Sequence, residues 1–290
     1  MGFEGTGYGK AILIGEHFVV HGARGIGMGI PRKTTVILES APSLSFSFEC
    51  GDLLKEATRR VLGKVAGGTG FEVSVTSEFP VSAGMGWSAS YCVALARAAA
   101  AAVGKEISDK EAAKAAFEGE RAFHGNPSGI DNTLAAHGGV MLFKRGKEPE
   151  SLKVGGKFHF VIANSGKKGP TKELVDKVSA MRTERPEEYG ALEEAEEWLV
   201  GKAIGALAAG DAGALGDIMD KNNELLTRLG LSTPTIDNIR GTALGNGALG
   251  AKITGAGGGG CVLILAPDAD RAAGIAGKLD KYEAFSFIID

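Results

Sequence analysis

The sequence predicts an α+β protein of two domains, and three observations carry that reading. Residues 71–77, Phe-Glu-Val-Ser-Val-Thr-Ser, alternate with the period of two that marks a half-buried strand, while residues 52–65 carry helical spacing. Residues 93–103 form a long alanine-rich stretch behind a small-residue loop, which reads as a helix. Beyond about residue 155 the patterns run strand, helix, strand, strand, helix, strand, the order of a ferredoxin-like α/β sandwich. The charged, glycine-containing stretch 144–157 is the linker candidate, so the expected domains are 1–155, mixed α/β, and 156–290, ferredoxin-like.

Taken in order, residues 9–20 read as a strand (Ala-Ile-Leu-Ile), a polar interruption at Gly15-Glu16-His17, and an apolar turn. Strands are expected at 34–39 and 44–48. Ser108-Asp109-Lys110-Glu111 is a capping box opening a helix that runs to about Arg121, and Pro127 and Gly129 end any helix there. Val140-Met141-Leu142-Phe143 is a short strand. In the second half, 158–163 is a strand, 171–229 is helical with breaks near Pro186 and Gly210, and 234–245 is a further helix. Two strands flank the glycine cluster ending at Gly260, and Phe285-Ser286-Phe287-Ile288-Ile289 closes the chain's pattern.

Composition narrows the function classes. With 290 residues, a net charge of −3 and no long Lys/Arg run, the chain points to a small-molecule partner and away from nucleic acid. Cys50, Cys92 and Cys261 are odd in number and widely spaced among apolar neighbours, as reduced thiols of a cytoplasmic protein are. No apolar window approaches the roughly 20 residues of a spanning helix, so no membrane association is expected.

Two loops carry the chemistry. Lys252-Ile253-Thr254-Gly255-Ala256-Gly257-Gly258-Gly259-Gly260 precedes an apolar run, and Ser82-Ala83-Gly84-Met85-Gly86-Trp87-Ser88-Ala89-Ser90 opens into the alanine-rich helix. Glycine is entropically costly in ordered backbone, so such clusters mark close approach to a ligand or another segment. A small-residue loop feeding a helix presents free N–H groups and the positive end of a dipole, which suits phosphate. Glu120 and Asp131 lie near this loop's expected surroundings and divide naturally into a Mg²⁺ ligand and a group facing the nucleophile. Lys10 is suited to neutralising phosphate or to keeping a carboxylate ionised. Other features read more plainly. His17 and His21 lack a convincing third metal ligand, the run Glu193-Glu194-Ala195-Glu196-Glu197 reads as a solvated helix face, and Trp198 reads as core. Tyr91 is suited to packing or to the site, and Lys177, Arg182 and Arg185 to a shared surface.

The segments Gly9-Lys10-Ala11-Ile12-Leu13-Ile14-Gly15-Glu16-His17, residues 82–89, and 252–261 resemble, in order, the three motifs of the GHMP kinases. The block Glu120-Arg121-Ala122-Phe123-His124-Gly125-Asn126-Pro127-Ser128-Gly129-Ile130-Asp131, with Asn222-Asn223-Glu224-Leu225, narrows the resemblance to the mevalonate kinases in their compact form. It implies the two-domain fold of that family, with a nucleotide-binding N-terminal domain. It also implies ATP and mevalonate as substrates, Mg²⁺ as cofactor and a place in isoprenoid synthesis. Asp131 is then the catalytic carboxylate, with Lys10 beside it. Residues 82–89 hold the ATP phosphates, Ser88 and Glu120 hold Mg²⁺, and Glu16, His17, Thr254, Gly255, Ala256 and Gly257 surround the acceptor. Another small-molecule GHMP kinase and a silent sensor of the same fold are the alternatives, and the oligomeric state stays open, dimers being common in the family. Trp87 departs from the family's loop, which has a hydroxyl residue there.

Overall fold

The computed structural model describes residues 2–68, 70–81, 84–124, 128–167 and 169–290. The chain divides into two compact units, Met1–Lys10 with Gly29–Gly138, and Ala11–Met28 with Gly139–Asp290.

In the first unit, the start of β1 (Phe3–Ile14) and the later half of β2 (Arg24–Ser40) contribute to a sheet extended by β3 (Ser45–Phe46) and β4 (Phe71–Ser77). β4 runs antiparallel to β2 from Thr34↔Ser77 to Ser40↔Phe71 and parallel to β3. The helices are α1 (Asp52–Val65), α2 (Trp87–Ala102), α3 (Asp109–His124) and α4 (Ile130–His137). Leu54, Ala57, Val61 and Leu62 bury one stripe of α1, as an amphipathic surface helix requires. α2 is buried nearly all round, which is why it shows alanine in place of a one-sided pattern. The Ser108 capping box forms as expected: Ser108 N–H donates to Glu111 Oε2 at 2.9 Å, and Glu111 N–H to Ser108 Oγ at 3.3 Å. Tyr91 belongs to the core, fully buried with its hydroxyl 2.8 Å from that of Thr58, so its role is packing.

In the second unit, the Arg24–Met28 half of β2 pairs antiparallel with β5 (Val140–Lys144), which pairs with β6 (Glu150–Ser151). The β5–β6 hairpin lies in this unit together with the stretch of β2 from Arg24 to Met28, against which β5 pairs. The remaining strands, β7 (Phe158–Asn164), β8 (Gly250–Thr254), β9 (Cys261–Ala266) and β10 (Phe285–Ile289), make an antiparallel sheet in the order β10-β7-β9-β8. With α5 (Thr171–Glu184), α6 (Pro186–Ala209), α7 (Ala212–Arg228), α8 (Pro234–Gly245) and α9 (Ala269–Lys278), this is the ferredoxin-like arrangement. β8 and β9 are buried along their whole length, which accounts for the unbroken apolar run of β9, while β10 alternates buried and exposed.

Two expectations for α6 are overturned. Trp198 is not core: it is 55% exposed, with the Lys202 ammonium 5.3 Å from its ring. The run at 193–197 is not simply solvated, for Glu196 has no exposure at all. Among the described residues no helix is long and apolar enough to cross a membrane.

Candidate active site

The first unit assembles one cluster. β1 delivers Lys10, whose backbone N–H donates to Met85 O at 2.9 Å and so ties the strand to the loop before α2. Gly86 caps α2 in the left-handed conformation (φ 71°), and a Cβ there would stand 2.7 Å from Lys10 Cγ. The position admits only glycine on both counts. The glycine is therefore what lets Lys10 lie beneath the start of the helix. Lys10 Nζ reaches Asp131 Oδ1 at 3.3 Å, with the lysine nearly buried and the aspartate partly exposed. Asp131 sits in the first turn of α4, where the helix dipole favours a carboxylate.

Glu120, buried near the end of α3, joins them. Burial lifts its pKa to about 7, the Ser88 hydroxyl lowers it by hydrogen bonding, and the charges of Asp131 and Lys10 act in opposite senses. Its Oε1 is buried with no hydrogen-bond partner. A carboxylate oxygen left unpartnered beside a serine hydroxyl is the donor set of a hard cation, so Ser88 and Glu120 fit Mg²⁺. Gly84, Met85 and Ala89 lie in the same loop and helix start, whereas Ser82, Ala83 and the expected turn at Gly125, Asn126 and Pro127 lie outside the described residues.

Trp87 takes its own place. Its ring stacks on Tyr91, centroids 5.4 Å apart and planes at 15°, and packs against the core, while its Nε1–H is buried without a partner.

The second unit holds another cluster. Glu16 and Lys252 form a fully buried ion pair, and Lys252 Nζ also donates to Ile253 O at 2.5 Å. Burial raises the Glu16 pKa and the Lys252 ammonium opposes the rise. Glu16 Oε2 remains unpartnered. His17 adopts a left-handed backbone (φ 64°) and sets Nε2 2.9 Å from Ala256 O. A carbonyl oxygen only accepts, so Nε2 carries the proton and Nδ1, buried and unpartnered, presents a lone pair. Burial lowers the His17 pKa, which keeps the ring neutral at pH 7. The Thr254 hydroxyl is engaged with β1, donating to Ile12 O at 3.0 Å and accepting from Ile12 N–H at 2.9 Å. Gly255, Ala256 and Gly257 form the turn after β8. At Gly257 (φ 76°) a Cβ would meet Leu231 O at 2.7 Å.

Lys252, Glu196, Asn222 and Asn223 were not assigned roles from sequence. Asn222 Nδ2 donates to Glu196 Oε2 at 2.7 Å, and Ile253 N–H donates to Asn223 Oδ1 at 3.0 Å. The available signal was a lysine inside an otherwise apolar strand, since a charge there needs a buried counter-charge. His21 turns to the α5 surface, 3.3 Å from Ser179 Oγ and 3.5 Å from Arg182, while Lys177 donates to Gly230 O and Arg185 pairs with Glu188.

The GHMP kinases N terminal domain matches residues 52–139, and the GHMP kinases C terminal domain matches residues 203–284. A mevalonate kinase of Pyrococcus furiosus is 35% identical, over 92% of this chain and 90% of its own. The chain belongs to the GHMP kinases. One of Aeropyrum pernix is 32% identical, over 94% and 91%. Among solved GHMP kinases, the L. major mevalonate kinase in complex with R-mevalonate superposes with a TM-score of 0.90 at 30% identity, covering 99% of this chain and 95% of its own. The Methanococcus jannaschii mevalonate kinase gives 0.83 at 27%, covering 99% and 97%. A galactokinase of Lactococcus lactis, at 18% identity and a TM-score of 0.79 over 98% and 92%, shares the fold alone.

Proposed function

We propose that this GHMP kinase transfers the γ-phosphoryl group of ATP to the C5 hydroxyl of (R)-mevalonate, giving 5-phosphomevalonate and ADP. The observation that carries the chemistry is the Lys10–Asp131 pair, set beside Ser88 and Glu120 at the start of α2. The acceptor rests on the likeness to mevalonate kinases over nine-tenths of the chain.

Phosphoryl transfer asks little covalent chemistry of a protein and much positioning and charge neutralisation. The backbone N–H groups of residues 84–89 and the α2 dipole cradle the phosphates. Asp131 accepts the proton of the C5 hydroxyl as its oxygen bonds the γ-phosphorus and the bridging P–O bond to ADP breaks. The Lys10 ammonium offsets charge gathering on the transferred group. Ser88 and Glu120 would hold Mg²⁺, which neutralises the nucleotide phosphates when bound. On the acceptor side, Glu16 Oε2 and His17 Nδ1 are hydrogen-bond acceptors without partners and suit substrate hydroxyls.

ADP release measured with MgATP over a panel of mevalonate, phosphomevalonate, homoserine, pantoate and galactose tests the assignment. Mevalonate should be preferred by orders of magnitude in kcat/KM. Preference for any other member removes mevalonate as the substrate.

A further inference from the structure

Residues 15–24 carry Glu16 and His17 through a backbone that does not rest easily, with Gly15 at φ 111° and His17 at φ 64°. A non-glycine residue in the left-handed region persists only where its surroundings hold it. Helix α6 supplies those surroundings at three levels. Tyr189 packs its ring 5.6 Å from Phe18 and 5.8 Å from His21. One end of the segment lies by Glu196, whose buried carboxyl feels the Gly15 backbone and the Glu16 charge and accepts from Asn222 Nδ2 at 2.7 Å, its Oε1 left without a partner. The other end meets Glu197: its Oε1 accepts from Arg24 N–H and its Oε2 from Arg24 Nε, both at 2.6 Å. Arg24 Nη2 closes the contact on Glu197 O at 3.2 Å.

We propose that Glu196 and Glu197 are positioning residues, two consecutive carboxylates of α6 that grip residues 15–24 at opposite ends and so fix Glu16 and His17 for the acceptor substrate. Neither touches substrate. The inference rests on the placement of Glu16 and His17 on the acceptor side proposed above. The two carboxylates work in different states. Glu197 is half-exposed and held ionised by its bonds to Arg24, which outweigh its partial burial. Glu196 is fully buried, and burial lifts its pKa to about 8, the neighbouring Glu16 adding to the rise and Lys252 opposing it. At neutral pH it is therefore largely a neutral hydrogen-bonding group, and a glutamine reproduces its shape and charge.

The test is steady-state kinetics on the full chain for E196L, E196Q, E197A and E16Q, with thermal unfolding run alongside. E196L and E197A should each raise the mevalonate KM at least tenfold while the ATP KM stays within twofold, and E196Q should stay within threefold of the unaltered protein for both. A mevalonate KM within twofold in E196L and E197A, while E16Q raises it, overturns the clamp and leaves the acceptor-side placement standing. No effect in E16Q overturns that placement and the clamp with it. Parallel rises in both KM values show a general structural role and also overturn the proposal. Should E196L fail to fold, E197A alters only a half-exposed side chain and decides the matter.

Discussion

Lys10 Nζ lies 3.3 Å from Asp131 Oδ1, joining a strand residue to the first turn of a helix more than a hundred positions along the chain. The pair puts one acceptor and one cation at the same point, which is what transfer from a hydroxyl to a phosphate needs. Asp131→Asn keeps the shape and deletes the proton acceptor. Its kcat should fall by about a thousandfold or more, roughly 4 kcal/mol, with ATP affinity within a few fold. Turnover within tenfold of the unaltered protein would exclude Asp131 from proton transfer.

The metal assignment rests on Glu120 and Ser88. Glu120→Gln and Ser88→Ala should each raise the Mg²⁺ concentration for half-maximal rate about tenfold, because each removes an oxygen donor. A carboxylate with a pKa of about 7 is mostly protonated at pH 6, where proton and metal compete for it. Lowering the pH from 8 to 6 should therefore weaken Mg²⁺ activation about tenfold more in the unaltered protein than in Glu120→Gln, whose ATP titrates identically. Equal pH dependence in the two proteins would remove Glu120 as a ligand.

Gly86→Ala is expected to cost far more activity than its single methyl implies. The new Cβ would need a left-handed backbone and would press on Lys10 Cγ from 2.7 Å. Lys10 must move, so kcat should fall at least a hundredfold in protein that still folds. Near-normal turnover would show that the placement of Lys10 is not set by this contact.

Trp87 stacks on Tyr91 and packs against the core, which makes it part of the packing at the start of α2. Trp87→Ser should lower stability by about 2 to 4 kcal/mol while leaving turnover of the folded protein within tenfold. Trp87→Phe keeps the stacking and removes the buried, partnerless Nε1–H, so its stability should lie within about 1 kcal/mol of the original. A large rise in ATP KM in both variants would make the indole a nucleotide contact instead.

Much of the fold was legible because local patterns and burial agree. α1 and β4 follow from their periods of 3.6 and 2, and the breaks at Pro186 and Gly210 separate α5, α6 and α7. β2 was only half legible. Its Thr34–Ser40 stretch pairs with β4 and shows β-branched residues, whereas Arg24–Met28, Gly29 and Pro31 offer no strand signal and gain their place from pairing with β5. Lys10, Glu120 and Asp131 were legible through their motifs and meet in one cluster. Glu196 was not, since one helix turn of glutamates reads as a surface until the neighbouring Glu16, Lys252 and Asn222 are in place.

Those buried carboxylates also predict how stability responds to pH. In the folded protein Glu196 holds its proton to about pH 8 and Glu120 to about pH 7, while unfolded glutamates release theirs near 4.5. The folded state therefore binds more protons across that window, and the free energy of unfolding must fall as pH rises through it. His17 acts in the opposite sense at the acid end. Its folded pKa lies below 6.5, so its contribution rises with pH until the unfolded ring has lost its proton. Above about pH 6.5 that opposing slope has faded and the glutamates dominate. Urea unfolding without Mg²⁺ should show stability dropping by about 2 kcal/mol between pH 6.5 and 8, at up to about 1.4 kcal/mol per pH unit for each group. Glu196→Gln, which cannot ionise, should flatten most of that slope. A flat profile in the unaltered protein, or an unchanged slope in Glu196→Gln, would show that Glu196 is already ionised beside Glu16 at neutral pH.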